Sequence, residues 1–440
     1  MLSTGIETLT ARLLIAVAAI GFVSSTALAQ GNGGLPPGFK PAQQPPKVLT
    51  LENELTTAET VSEWKKKRLE YFDALRATSL SEENRQMLVD SLKIQVQQLS
   101  ITDERNNLTA IRKAMLRDFD RECRAEEVRL FALGELLKSI QTLLDGNFHV
   151  RCQAAMLIGE LDRTPAKPGL QPVPAVAWTG GIPVLLDMID TPDGGMDQPE
   201  AVRILAARSL ERLFELGRST LQPNSKLPEE AAQRMLMELG KQRTDWYHAR
   251  LAMALVATGA DMVPDKNNAS RPLIVDALAR IIADRNRSYS IRAKAAFALG
   301  RADIPGGVQA DPIAFVLVQL AQQMALDMNQ GRMSSAQALF RFQDVYRAFQ
   351  RGVSEPEDIG LLATLKRPII TSAYDDIKPL FQALMRSYQA GAPAQFPPAL
   401  IQKLQSWKAP ENMAIDPSGT PITQPLQSSA GNRVQTVAGR

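Results

Sequence analysis

An all-α chain of stacked helix pairs, an α-solenoid with flanking capping helices and no sheet, is the fold class this sequence predicts. Three observations predict it. In Ser288 to Gly300, SYSIRAKAAFALG, the residues Ile291, Ala295, Ala296 and Leu299 share one helical stripe whose alanines are small enough to admit a neighbouring helix. The same lettering returns at Val150, Arg151, Ala154, Ala155, Ile158 and Gly159, and again at Val202, Arg203, Ala206, Ala207 and Leu210. It returns more faintly at Ala249, Arg250, Ala254 and Ala257, where Met253 replaces the first small residue. The arginines are spaced by 52, 47 and 42 residues, a period that belongs to stacked helix pairs. Third, the chain is rich in strong helix formers, and β-branched alternation is nearly absent.

In chain order, Arg12 precedes the apolar run LLIAVAAIGFV (Leu13 to Val23), and small Ala27 and Ala29 stand before Gln30. This reads as a cleavable secretory signal over residues 1–29. The run is short for a membrane span and ends in polar Ser24, Ser25 and Thr26, so a retained anchor is the weaker alternative. No cysteine follows to carry a lipid, and the mature protein is expected to be periplasmic or secreted, with no membrane insertion. Residues 30–50, rich in proline and glycine, form an expected flexible linker.

Residues 51–125 form an N-terminal helical region, with helices over Thr60 to Thr78 and Ser81 to Leu99 and a third beginning near Thr102. Residues 126–302 hold the repeats. Glu126 to Asp145 is an amphipathic helix stopped by Asp145-Gly146-Asn147, and the first alanine-rich helix follows from about Phe148. Later first helices are expected at Ile182 to Ile189, Pro228 to Gly240 and Pro272 to Ala283. Residues 303–408 continue with a diverged pair, Pro312 to Leu326 and Ser335 to Arg351, and then with capping helices Tyr374 to Gln389 and Pro397 to Ser406. Residues 409–440 lack aliphatic clusters and read as a disordered tail.

An aspartate in the turn, followed by a second helix that opens with an aliphatic residue and arginine, resembles the HEAT-repeat (armadillo-type) family. Asp145 with Val150-Arg151 and Asp284 with Ile291-Arg292 carry the likeness, over about residues 126–302. The resemblance implies a structural ladder of Asp145, Arg151, Arg203, Arg250, Asp284 and Arg292 that ties successive turns together. The second unit departs from the pattern with its longer turn TPDGGMDQP, and the third lacks the aliphatic residue before arginine.

The linkers after second helices, Arg163 to Gly181, Gly217 to Leu227 and Gly259 to Arg271, are longer than helix turns require. Equivalent inserts fall along one edge of a stack, where partners bind. Trp178 is the bulky aromatic of the longest insert: a possible partner-binding residue, or one that packs the insert down.

Chemistry is sparsely signalled. The formal charge of +3 is small and unclustered for a nucleic-acid partner, and Lys65 to Arg68 reads as a solvated helix face countered by Glu63 and Glu70. No GxSxG, HExxH, phosphate-loop or CxxC motif occurs, and there are only two histidines, His149 and His248. Asp118, Asp120 and Glu122 read as surface carboxylates. His149 and Cys152, spaced i to i+3, lack third and fourth ligands of matching spacing, so no metal or cofactor is expected. About 30 Å of helix separates Cys123 from Cys152. A disulfide needs Cα atoms within about 7 Å, so none is expected between them.

These readings favour a protein-binding scaffold with no catalytic residue, whose protein partner and oligomeric state stay open. The alternatives are an enzyme of the HEAT-like bilin lyase kind and a structural spacer in an envelope assembly.

Overall fold

Residues 54–423 are described by the computed structural model, apart from 170–171, 191–197, 266, 268, 353–356 and 393. The expected signal (1–29), the linker up to residue 50, residues 424–440 and most of the TPDGGMDQP turn lie outside the described residues. Seventeen α-helices occur among the described residues, all within one contact unit, Val48–Arg351 with Glu357–Arg440.

The first helices are α1 (Ala58–Lys66), α2 (Arg68–Arg76), α3 (Glu82–Gln97) and α4 (Leu108–Glu122). Thr57 and Ser81 cap α1 and α3 by accepting the amides of Thr60 and Asn84. The single helix expected over Thr60 to Thr78 is instead two, broken at Lys67 (φ −96°, ψ 10°). The break re-aims the apolar stripe, so that Val61 of α1 and Tyr71, Phe72 and Leu75 of α2 are all buried.

Four helix pairs then follow: α5 (Glu126–Gln141) with α6 (Phe148–Gly159), α7 (Ile182–Ile189) with α8 (Glu200–Gly217), α9 (Leu227–Leu239) with α10 (Asp245–Ala257), and α11 (Leu273–Ala283) with α12 (Tyr289–Leu299). A fifth pair is α13 (Ala310–Asn329) with α14 (Ser335–Phe349). After them come the one-turn α15 (Leu361–Thr364), α16 (Pro368–Gln389) and α17 (Pro398–Gln405). Within each pair the two helices touch. The second helices also touch in chain order, α4 to α6, α8, α10, α12, α14 and α16, and the first helices do so from α7 to α9, α11 and α13.

The alanine stripe makes the second-helix contacts close. Ala154, Ala155, Ala206, Ala207, Ala295 and Ala296 are fully buried. At the twelfth residue of α6, a Cβ on Gly159 would lie 2.2 Å from the Ser209 Oγ of α8, whose hydroxyl donates to the Ala155 carbonyl at 2.9 Å. The glycine after α12 is tighter still, because a Cβ on Gly300 would lie 2.1 Å from the Ala348 carbonyl oxygen of α14.

Two differences from the sequence reading stand out. The inserts carry two short antiparallel ribbons where no sheet was expected. β1 (Asp162–Thr164) pairs with β2 (Val176–Ala177), and β3 (Val263–Pro264) with β4 (Ser270–Arg271). Each insert leaves and re-enters the helices at neighbouring points, so its two arms run side by side and pair their backbones. The Asp265 carboxylate closes the second ribbon by accepting the amides of Asn267 and Ala269.

The second difference is at the C-terminal end, where the expected tail starts too early. Residues 409–423 pack back on the helices: Ala414, Ile415 and Ile422 are buried, the Gln309 amide donates to the Ile415 carbonyl, and Arg280 donates to the carbonyls of Thr420 and Pro421. These anchors are long-range, which composition alone does not reveal.

Candidate functional site

In the first four helix pairs the fourth residue of the second helix is buried, whatever its type: Arg151 in α6, Arg203 in α8, His248 in α10 and Arg292 in α12. The arginines turn back on the end of their own first helix or on the turn that follows it. Arg151 Nε donates to the Gly146 carbonyl at 2.6 Å, and Arg292 Nε donates to the Ile282 carbonyl at 2.8 Å. Arg203 donates to the carbonyls of Ile189 and Gln198 and approaches the Glu238 carboxylate of the next pair at 3.4 Å. Helix ends leave carbonyls without intrahelical partners, and a long planar donor satisfies them from inside the pair.

The aspartates of the expected ladder stay in the turns. Asp145 is exposed, and Asp284 accepts the Asn286 amide and pairs with Arg287 at 3.6 Å. Arg250 is the sixth residue of α10 and is half-buried, so Ala249, Arg250, Ala254 and Ala257 lie two residues out of register with the other second helices. The residues of α10 in register are Tyr247, His248, Leu251, Ala252 and Leu255, all buried. Imidazole is too short to do what the arginines do. Arg287, in the turn between α11 and α12, reaches His248 Nδ1 at 2.5 Å, and burial with that neighbouring cation lowers the His248 pKa to about 4.

Sixth residues have a different task. Gln153 of α6 accepts from Arg112 of α4 at 2.9 Å, and Lys294 of α12 donates to Asp344 of α14 at 2.9 Å, so these positions link one second helix to the next. Arg250 belongs to this set. Its charge opposes the upward shift that burial and Glu215 impose on the Glu211 carboxyl, while burial also raises the carboxyls of Glu215 and Asp344. Glu215 itself is exposed at the edge of this row. Farther along, the Phe297 ring lies 3.9 Å from the Arg301 guanidinium carbon, 4.8 Å from that of Arg347 and 4.7 Å from Lys294 Nζ. This charged row along α8, α10, α12 and α14 escaped the sequence reading, and aligning the helices by their first residues was the signal that would have exposed it.

The inserts adjoin one another. A Cβ on Gly217 would lie 2.7 Å from Thr179 of the first insert, and Arg218 pairs with Asp303 at 3.2 Å beyond the second and third. The Arg218 guanidinium also packs against Gly259, whose φ of +67° is a backbone state that glycine adopts without strain. Trp178 is half-buried against the core, its amide donates to the Leu161 carbonyl at 2.9 Å, and its ring covers Gly180. It packs the first insert down; Val173, nearer the tip, is the exposed apolar residue there, at 48%.

His149 is half-buried with its ring 5.4 Å from that of Phe148. Cys123 and Cys152 are free thiols whose pKa values burial pushes up to about 11. Among the described residues no three His, Cys, Asp or Glu side chains are grouped to hold a metal, and no helix is long and apolar enough to cross a membrane. The chain matches no protein-family model, no curated protein and no solved structure at a significant level.

Proposed function

We propose that this protein is an α-solenoid of HEAT-like helix pairs, exported to the periplasm or beyond the cell, that binds a protein partner along its insert edge and the adjoining charged row. The observation that carries the reading is the Arg218 contact set, which joins the second insert to Gly259 of the third and to Asp303 after α12. Three connections that packing of the helices does not require thus present a continuous surface, and loops on a rigid scaffold are where recognition concentrates. The charged row supplies ionic groups beside it, suited to complementary charge on a partner.

The test must spare the core. Replacing all of Thr164 to Thr179 would remove buried Ala177 and the Trp178 amide bond, so the variant to make replaces only Pro165 to Pro174 with a Gly-Ser linker. Capture from the native envelope fraction is compared for this variant, for Arg218→Ala and for the parent. The proposal expects intact melting and loss of the same partner in both variants. Unchanged capture would contradict the insert edge as the binding surface. The export component is tested separately by intact mass, which should place the mature N-terminus at or very near Gln30; retention of residues 1–29 would contradict cleavage.

A further inference from the structure

We propose that the C-terminal loop Met413–Ile422 is a latch on the third insert: it fixes the β3–β4 ribbon through Arg271, and its release loosens that ribbon and so weakens partner capture at the insert edge. The capture step rests on the function proposed above; the coupling of loop to ribbon does not.

The junction is built from two turns that face one guanidinium. In the insert, Asp265 Oδ1 accepts the amides of Asn267 and Ala269, and its Oδ2 lies 3.8 Å from Arg271 Nη1. In the loop, Asp416 Oδ1 accepts the amide and the hydroxyl of Ser418, both at 3.0 Å, and its Oδ2 accepts Arg271 Nε at 3.1 Å. Each carboxylate thus closes its own turn with one oxygen and offers the other to Arg271, the last residue of β4. The loop makes the closer of the two contacts. Gly419 completes it, because a Cβ there would lie 2.7 Å from Arg271 Nη2 and push the guanidinium aside.

The loop is built to come and go as a unit. The Ile422 amide donates to the Met413 carbonyl at 2.9 Å and closes its neck, the form of a compact surface loop whose ends meet. Of its residues only Ala414, Ile415 and Ile422 are buried. Its other anchors are polar: Gln309 donates its amide to the Ile415 carbonyl at 3.0 Å, and Arg280, itself clamped by Asp276, donates to the carbonyls of Thr420 and Pro421 at 2.9 Å. Between the loop and α11 a cavity of about 60 Å³ remains, lined in part by Arg271, Asp276 and Asp416. A short apolar contact beside a polar gap opens at a lower free energy than packed helices do. Opening removes the closer of Arg271's two carboxylates from a ribbon of only two residue pairs, and so short a hairpin has little stability of its own.

Hydrogen exchange read by mass spectrometry on the whole mature protein tests the latch. Peptides spanning the third insert are compared with peptides spanning the β1–β2 ribbon of the first, in the parent, in Asp416→Ala and in Ser418→Ala, which spares the ion pair. Asp416→Ala should speed exchange in the third insert by about fivefold, what a partly exposed ion pair is worth, and leave the first insert at the parent rate. Ser418→Ala should change the third insert less. Unchanged exchange in the third insert, whatever the loop itself does, would overturn the latch, and so would equal acceleration of both inserts, which marks a general loss of stability. Capture from the native envelope fraction should weaken in Asp416→Ala. Faster exchange with capture unchanged, while Arg218→Ala still loses its partner, would overturn the regulation and leave the insert edge standing. Capture unchanged in both variants would instead contradict the insert edge, and the coupling of loop to ribbon would stand on exchange alone.

Discussion

Helices α6, α8 and α12 put an arginine at their fourth residue, and α10 puts His248 there. All four side chains are buried, but only the arginines bond back into their own pair. Each arginine reaches back within its own pair to carbonyls that its first helix or turn cannot satisfy. The histidine instead receives Arg287 from the pair that follows. Arg151 and Arg203 also reach the next pair, at Gln198 and Glu238, so the position is fixed by burial at the start of the second helix, and the residue type decides whether the side chain also closes its own pair.

Arg203→Ala is the largest test of this comparison. It removes a guanidinium that is 1% exposed and leaves Glu238, which is fully buried, short of one of its cations. Breaking a buried pair from one side costs about 3–5 kcal/mol, to be read from denaturant melts. A loss below about 1 kcal/mol, as for a surface ion pair, would break the comparison.

The histidine makes stability depend on pH in a way the arginines do not. Its folded pKa, about 4, lies below its ordinary 6.5, so the unfolded chain takes up the proton first as pH falls. The stability it supports is present above pH 6.5 and is lost as pH falls toward 4, by up to about 3 kcal/mol. The raised carboxyls of Glu211, Glu215 and Asp344 titrate nearby with the opposite sign. The measurement is therefore the difference between the parent and His248→Gln across that window, which should narrow as pH falls; a constant gap would show that His248 is not buried neutral.

A smaller effect separates the helices at their twelfth position, where α6 and α12 are followed through by Gly159 and Gly300 but α8 and α10 carry Glu211 and Val256. Gly300→Ala should destabilise by about 1–3 kcal/mol, because its methyl meets the Ala348 backbone, which has no rotamer to yield. Val256→Ala, at the same position in α10, should cost less because Val256 is 8% exposed and its loss leaves no clash.

Much of the helical content was legible because its signals are local. Ile182 to Ile189 is α7 to the residue, and Ile291, Ala295, Ala296 and Leu299 are all fully buried. The register of α10 was not legible, because its alanines and Arg250 mimic the lettering two residues late: Tyr247 and His248 hold there the buried positions that aliphatic residues and arginines hold elsewhere. The packing of Ile415 and the reach of Arg280 to Thr420 and Pro421 were hidden for another reason. Each joins residues distant in sequence, and neither leaves a periodic trace. Of the candidate surface, the inserts could be read from their length, but the charged row required the helices to be superimposed.

The most direct measurement is the pair of denaturant melts for His248→Ala and Arg250→Ala. His248→Ala empties a buried position and removes one partner of Arg287, so it should cost about 1–3 kcal/mol, whereas Arg250→Ala, on a half-buried face, should stay within about 0.5 kcal/mol of the parent. The reverse order, with Arg250 the costly loss, would contradict the account and return the ladder to the register that the lettering suggested.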